Sequence, residues 1–327
     1  MAEHVPEITR IIGVRRDPSL KIDLKFPSRC RLDVFDDEIP RSALNLSQGL
    51  EKKFVYIESS YGLARHTRVV ESVETIYVPM WEQGSVPLEA QFADSIVCVT
   101  KHTYQTMSPK ENQFQTLQYL PWPVETNGST KRVVTSVKTI LHNAGSLGGN
   151  LRKGTYQAIE MFQKSGLGKK GVTLIIHAWK PPTPELAALL MKSPDGIIWS
   201  NQFLERADDI YATYEPDLLL CPSKIEGHAL VVLEAMARGI PALVTDSPPI
   251  NEYEHQMNGD FMLLKVARYE PSPLAAPYAI VDTDWGAEKL SFVCGWNMER
   301  KSRQVADLVE REYSWNALGE KWRALCL

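Results

Sequence analysis

Short apolar runs rich in β-branched residues recur along the whole chain, each bounded by turn formers and often followed by a helical pattern. The first group comprises residues 8–14, 31–34, 54–57, 75–79, 95–99 and 117–120. The second comprises residues 135–142, 172–177, 196–199, 218–221, 242–245 and 261–264. These runs show little polar alternation and are separated by helical stretches, which predicts parallel strands covered on both faces and an α/β class. Between the groups, residues 121–130 hold two prolines followed by Asn127, Gly128, Ser129 and Thr130, a composition that continues neither a helix nor a central strand. The predicted organisation is therefore an N-terminal α/β domain over 1–128, a larger one over 129–300, and helices over 301–327. The last segment carries an apolar stripe of Val305, Leu308, Val309, Trp315, Leu318, Trp322 and Leu325, with Ser314 as a cap between two helices.

Composition narrows the class. With 327 residues, 44% hydrophobic and 23% charged, the chain can bury two cores, and disorder or a small disulfide scaffold is excluded. The 36 Lys and Arg against 40 Asp and Glu leave a net charge of −4, so a phosphate backbone or anionic membrane would have to be met by a local patch. Cys30, Cys98, Cys221, Cys294 and Cys326 are odd in number and widely spaced, which fits reduced core thiols better than a disulfide frame or a metal site. No apolar run approaches the ~18 residues that span a bilayer, and the first residues lack the order of a signal peptide. The expectation is a soluble cytoplasmic protein with no integral membrane segment.

One stretch carries most of the chemistry. Residues 217–246 read as a buried strand, a turn ending at Glu226 and Gly227, a helix from about Ala229 to Arg238 closed by Gly239 and Pro241, and another strand. In a parallel sheet such a turn puts a helix N-terminus and its free N–H groups at the carboxyl edge, where ligands bind. Glu234 is flanked by Val231, Val232, Leu233, Ala235 and Met236, and an acid in so apolar a helix is costly without a partner or ligand. A glutamate at a helix start is also an ordinary dipole partner. A second stretch, His142 to Gly154, follows an apolar strand and combines Gly145, Gly148 and Gly149 with Arg152 and Lys153 ahead of a helical pattern. Glycines and adjacent cations before a helix suit a diphosphate, although a plain surface loop has the same composition.

The combination of Pro222, Ser223, Glu226 and Gly227 with Glu234, Ala235, Met236, Ala237, Gly239 and Pro241 resembles the Glu-x7-Glu signature of retaining glycosyltransferases of the GT-B fold, especially glycosyltransferase family 4. The match extends forward to Thr245, Asp246, Glu252, Asn258 and Gly259, and backward to Leu204, Glu205 and Asp217. It covers about residues 133–265. The resemblance implies two Rossmann-like parallel-sheet domains facing a cleft, a compact N-terminal domain, and C-terminal helices returning toward it. It implies that Glu234 binds both ribose hydroxyls of a nucleotide sugar, two acceptor oxygens matching a vicinal diol. Glu226 would lie by the donor sugar, and the turn of Gly227, His228, Ala229 and Leu230 would bind sugar hydroxyls and phosphate. Gly145, Ser223 and Leu204 complete the implied donor site. Lys153 and Gly154 match the family's Lys-Gly pair, and with Arg152 would offset the charge of the departing diphosphate without a metal. The sequence departs from the family in having His228 and Ala229 after Glu226-Gly227, and Ser146 where an arginine usually stands, a role Arg152 could take over.

Before residue 130 the resemblance thins. Gly62, Arg65 and His66 follow a strand and open a helical pattern, similar to the family's loop near donor phosphate and acceptor, though a simple turn and cap fits equally. Trp81 and Glu82 stand where related enzymes often carry a histidine near the reacting carbon, and Trp81 suits either sugar stacking or burial. The implied reaction is metal-independent and retaining, needs no cofactor, and moves a hexose from a nucleotide-diphosphate sugar, UDP-sugar favoured, to an acceptor hydroxyl. The acceptor stays open among a saccharide, a hydroxymethylated DNA base, a protein or a small metabolite; a phage-encoded chain would act in host cytoplasm. A rival reading from another class is a protein that binds sugar nucleotide without turnover, as a regulatory or partner subunit.

Overall fold

The computed structural model describes residues 10–15, 31–36, 53–57, 74–80, 93–108, 116–126, 131–145, 151–192, 195–204, 206–257, 261–272 and 276–326. They fall into two units, Met1–Pro123 with Trp315–Leu327, and Val124–Ser314.

In the first unit β1 (Arg10–Arg15) pairs in parallel with β2 (Arg31–Asp36). The strands β3 (Lys53–Ile57), β4 (Glu74–Val78), β5 (Ser95–Cys98) and β6 (Thr116–Tyr119) form a four-stranded parallel sheet in chain order. Helix α1 (Lys101–Met107) follows β5, with the Thr100 hydroxyl accepting from the Thr103 N–H at 3.1 Å. Side chains alternate as a pleated sheet requires: Tyr77, Ile96, Cys98 and Leu117 pack together with Met107, while Ile76, Val78, Val97, Val99 and Leu120 form a second core. The final helix, Trp315–Cys326, closes this second core with Leu318 and the fully buried Trp322. The Trp322 indole N–H donates to the Pro121 carbonyl at 2.8 Å and its ring meets Trp122 edge-on at 5.1 Å.

The second unit has a six-stranded all-parallel sheet. In chain order its elements are β7 (Thr139–Gly145), α2 (Thr155–Ser165), β8 (Thr173–Ala178), α3 (Pro184–Lys192), β9 (Ile197–Ser200), α4 (Ala207–Tyr214), β10 (Leu218–Cys221), α5 (Leu230–Ala237), β11 (Ala242–Thr245), α6 (Glu252–His255) and β12 (Leu263–Leu264). The spatial order β12-β11-β10-β7-β8-β9 places β7 and β10 side by side at the centre. β13 (Val266–Glu270) and β14 (Tyr278–Val281) form a separate antiparallel hairpin, followed by α7 (Thr283–Cys294) and α8 (Glu299–Glu312). Both sheet faces are covered. Ile140, Leu174, Ile176, Leu218, Leu220 and Leu243 pack with Ile159, Phe162, Leu290 and Val293. Leu141, Leu219, Cys221, Ala242 and Val244 pack with Val232, Leu233, Met236, Val305 and Leu308. Neighbouring residues of one strand thus serve opposite cores, which explains why these strands read as unbroken apolar runs.

The α/β, parallel-sheet expectation is met, with three local corrections. The run expected over 135–142 enters the sheet only at Thr139. Residues 131–138 are drawn elsewhere: the Arg132 N–H donates to the Arg238 carbonyl, the Val134 N–H to the Ser302 hydroxyl, and the Thr135 carbonyl accepts from the Met298 N–H. The strand expected over 261–264 shortens to Leu263–Leu264. The β13–β14 hairpin has no counterpart among the predicted strands, because Arg268 and Glu270 interrupt its apolar pattern and Pro271 and Pro277 read as loop. Among the described residues no helix is long and apolar enough to cross a membrane.

Replacing the buried tryptophan tests the role of the last helix. Trp322→Ala should lower stability by about 3–5 kcal/mol, measured as a drop in the urea midpoint followed by far-UV circular dichroism. A midpoint equal to that of the wild type contradicts the packing role.

Candidate functional site

The carboxyl ends of β7 and β10 lie next to each other, so the loops that leave them meet. After β7 come Arg152, Lys153 and Gly154, and Gly154 precedes α2 with φ +71°. A side chain at Gly154 would put its Cβ 2.0 Å from the Pro222 carbonyl oxygen, so only glycine lets the two loops close on each other. The Lys224 N–H donates to the Arg152 carbonyl at 2.8 Å and completes the seam.

Across this seam the Lys153 ammonium reaches the Glu226 carboxylate at 2.5 Å, with side chains 19% and 6% exposed. Burial would push the Glu226 carboxyl up; the Lys153 and Arg152 charges, with hydrogen bonds from Lys153 and Ser223, outweigh it and hold the group below the ordinary carboxylate range. The Ser223 main chain is fixed in turn, its carbonyl accepting from the Thr245 hydroxyl at 2.8 Å. Behind the loop, His142 is buried, its ring nitrogens 3.0 Å from the Leu220 carbonyl and 3.0 Å from the Thr155 hydroxyl. Burial pulls its pKa down to about 4, against the Leu220 contact and with help from Lys153, so it is a neutral support.

Gly227, His228 and Ala229 are buried and lead into α5, whose first residue, Leu230, is 37% exposed. The Tyr253 hydroxyl donates to the His228 carbonyl at 2.8 Å and pins the turn. Ala229 holds φ +59°, ψ +46°, a left-handed conformation in which its Cβ is strained. Further along the helix, burial raises the Glu234 carboxyl; Arg238 opposes this and Asp208 adds to it. Arg238 is committed to several partners at once: it donates to the Glu234 carbonyl and to Asp208, and its guanidinium lies 4.7 Å from the Tyr211 ring centroid.

The structure therefore joins Arg152, Lys153, Ser223 and Glu226 directly, and places Gly227 through Leu230 and Glu234 on the turn and helix that follow. Gly145 ends β7 with φ +67°, and its N–H donates to the Asn143 side-chain oxygen at 3.1 Å. Leu204 is half-buried against the core under α5. Gly62, Arg65, His66, Trp81 and Glu82, with Ser146, Gly148, Gly149 and Glu205, lie outside the described residues. The Asp208–Arg238 pair beside Glu234 is not among the residues the sequence singles out; the four-residue step from Glu234 to Arg238 is its one visible sign. Among the described residues no three His, Cys, Asp or Glu side chains group as a metal site.

Residues 138–277 match the family model of glycosyl transferases group 1. No curated protein matches the sequence. Among solved structures, the chain is similar to the pneumococcal O-GlcNAc transferase GtfA in complex with UDP and GlcNAc, at 14% identity and TM-score 0.60, covering 88% of this chain and 58% of that one. It is similar to sucrose-phosphate synthase from Thermosynechococcus elongatus at 12% identity and TM-score 0.66, covering 97% and 87%. It is also similar to an α,α-trehalose-phosphate synthase (UDP-forming) from Burkholderia vietnamiensis at 10% identity and TM-score 0.60, covering 88% and 75%. The chain thus spans less than two thirds of the O-GlcNAc transferase, and at these identities the likeness is one of fold, the GT-B fold of glycosyltransferases.

Two outcomes follow from the local geometry. Ala229→Gly relieves a left-handed alanine but gives up a buried core methyl and loosens the unfolded chain, so its urea midpoint should stay within about 1 kcal/mol of the wild type rather than show the larger loss usual for a buried Ala→Gly change. Glu226 is held low in the folded state, so its contribution is present above the ordinary carboxylate pKa and is lost as pH falls through the folded value. The stability gap between wild type and Glu226→Gln should therefore shrink as urea titrations move from about pH 6 to about pH 3; a gap that holds constant contradicts the assignment.

Proposed function

We propose that this chain is a retaining, metal-independent glycosyltransferase resembling family 4, which moves a hexose from a nucleotide-diphosphate sugar to an acceptor hydroxyl. The observation that carries the reading is the buried Lys153–Glu226 pair at the carboxyl edge of the sheet, where the cation loop and the turn into α5 meet. UDP is the favoured nucleotide, since two of the similar structures are a complex with UDP and a UDP-forming enzyme.

Each residue has a part set by its chemistry. Lys153 and Arg152 face the diphosphate and offset the charge that grows on it as the sugar carbon–oxygen bond breaks, a contribution of about 3–4 kcal/mol for a well-placed donor. Glu226, kept ionised by those cations, lies by the sugar and accepts from its hydroxyls. The N–H groups of the turn from Gly227 to Leu230 donate to phosphate and sugar oxygens. Glu234 takes both ribose hydroxyls. The acceptor oxygen bonds to the sugar carbon from the face the diphosphate leaves, and its proton passes to a phosphate oxygen. The acceptor class is a saccharide, a hydroxymethylated DNA base, a protein or a small metabolite.

A coupled assay for free nucleoside diphosphate over UDP-, GDP- and ADP-sugars tests the reading. Wild type should release UDP, and Lys153→Ala or Glu234→Ala should lower the rate at least about 100-fold while the protein stays folded by circular dichroism. Wild-type-like turnover in either variant removes the site assignment. Binding of UDP-sugar by calorimetry with no release of UDP, with or without candidate acceptors, supports the non-catalytic reading instead.

A further inference from the structure

Lys224 stands in the middle of the loop that carries Glu226, and its main chain is engaged on both sides. Its N–H donates to the Arg152 carbonyl at 2.8 Å, one residue before Lys153; its carbonyl accepts from the Ala279 N–H, also at 2.8 Å. Ala279 is fully buried in β14, the second strand of the hairpin. The hairpin has its own fastenings. The Ser272 hydroxyl donates to the Ala276 carbonyl at 2.7 Å, and Arg268 pairs with Glu270 at 2.6 Å. It is tied to the sheet where the Asp282 N–H donates to the Lys265 carbonyl at 2.9 Å, just past the carboxyl end of β12. The Lys224 side chain takes the same direction as its carbonyl: the ammonium lies 5.8 Å from the Tyr278 ring centroid. Burial pulls its pKa below the ordinary lysine value, with Glu270 opposing and Arg268 adding to that effect.

These contacts run in series. The hairpin holds Lys224, Lys224 holds the Arg152 peptide, and Gly154 abuts Pro222, so the stretch 152–154 is located by the loop 222–224 and that loop by β14. We propose that the β13–β14 hairpin is a positioning element for Arg152 and Lys153, acting through the backbone of Lys224. This rests on the reading that those two cations face the donor diphosphate. A preorganised charge stabilises a transition state only where it is held to within a fraction of an ångström, so a loosened brace weakens catalysis before it weakens binding. Lys224 and Ala279 are thus positioning residues, acting through the Arg152 peptide.

The test compares UDP release from UDP-sugar, and UDP affinity by calorimetry, in wild type, Ala279→Pro and Ala279→Gly. Proline removes the N–H that the Lys224 carbonyl accepts, while glycine keeps it. The expected result is a kcat at least about 10-fold lower in Ala279→Pro, with donor KM and UDP affinity within about 3-fold and Ala279→Gly close to wild type. An active wild type with Ala279→Pro and Ala279→Gly alike in kcat overturns the positioning role and leaves the donor-site reading standing. A wild type that neither binds UDP nor releases it overturns both. Should Ala279→Pro not fold, hydrogen exchange on the wild type decides: the Lys224 and Ala279 amides should slow together when UDP is added. Slowing at Lys224 with none at Ala279 overturns the proposal.

Discussion

A lysine and a glutamate 73 residues apart in sequence, Lys153 and Glu226, are held 2.5 Å from one another and largely out of water. Neither charge could be buried alone, since an isolated ion in a protein interior costs several kcal/mol. Their meeting therefore constrains everything around it. The two loops must close without a side chain at Gly154; β7 and β10 must be adjacent and parallel so that both loops leave the same edge; and Arg152 and Ser223 must add enough favourable field to keep the carboxyl ionised. The parallel adjacency of β7 and β10 is thus a requirement of the site as much as of the core. A pair this tight has a second consequence. The Lys153 charge is answered by Glu226, which keeps a buried cation from standing unopposed.

The strands are legible in the sequence because the sheet of the second unit is covered on both faces. Ile140 and Leu141, or Leu218 and Leu219, each need to be apolar although they point to opposite cores, so the runs are continuous and hard to misread. The same logic misleads at residues 131–138. Val134 and Val137 are buried like strand residues, yet the neighbouring N–H and C=O groups of Arg132, Val134 and Thr135 are satisfied by Arg238, Ser302 and Met298. Apolar content reports burial, and it does not say which partner supplies the hydrogen bonds. At the hairpin the opposite failure occurs, because Arg268, Tyr269 and flanking prolines hide a strand pair that has one buried edge against Lys224.

The candidate site is legible as two separate motifs and illegible as a contact. Glycines beside Arg152 and Lys153, and Glu226 with Gly227 before a helix, each have a local physical meaning. That the cation of one answers the anion of the other depends on sheet order, which local patterning does not encode. Ala229 shows a related limit. Glycine is the residue that enters this turn without strain, and the chain accepts alanine in a left-handed conformation because the surrounding contacts fix the backbone, among them Tyr253 holding the His228 carbonyl.

Glu234 stands at the other end of the turn and faces a different constraint. Helix α5 buries Val232, Leu233, Ala235, Met236 and Ala237, so it has almost no polar face on which a carboxyl could rest. The cation that opposes this, Arg238, is divided among Asp208, the Glu234 carbonyl and the Tyr211 ring, and its field does not reverse the rise that burial imposes on the Glu234 carboxyl. A group left in that condition is best matched by neutral hydrogen-bond donors, which stabilise the ionised form without adding a second charge to be desolvated. A vicinal diol presents two such donors at the spacing of a carboxylate's two oxygens. The two carboxyls thus differ in how their charge is answered: Glu226 is held ionised by the cations at the seam, and Glu234 in the helix is left under-compensated.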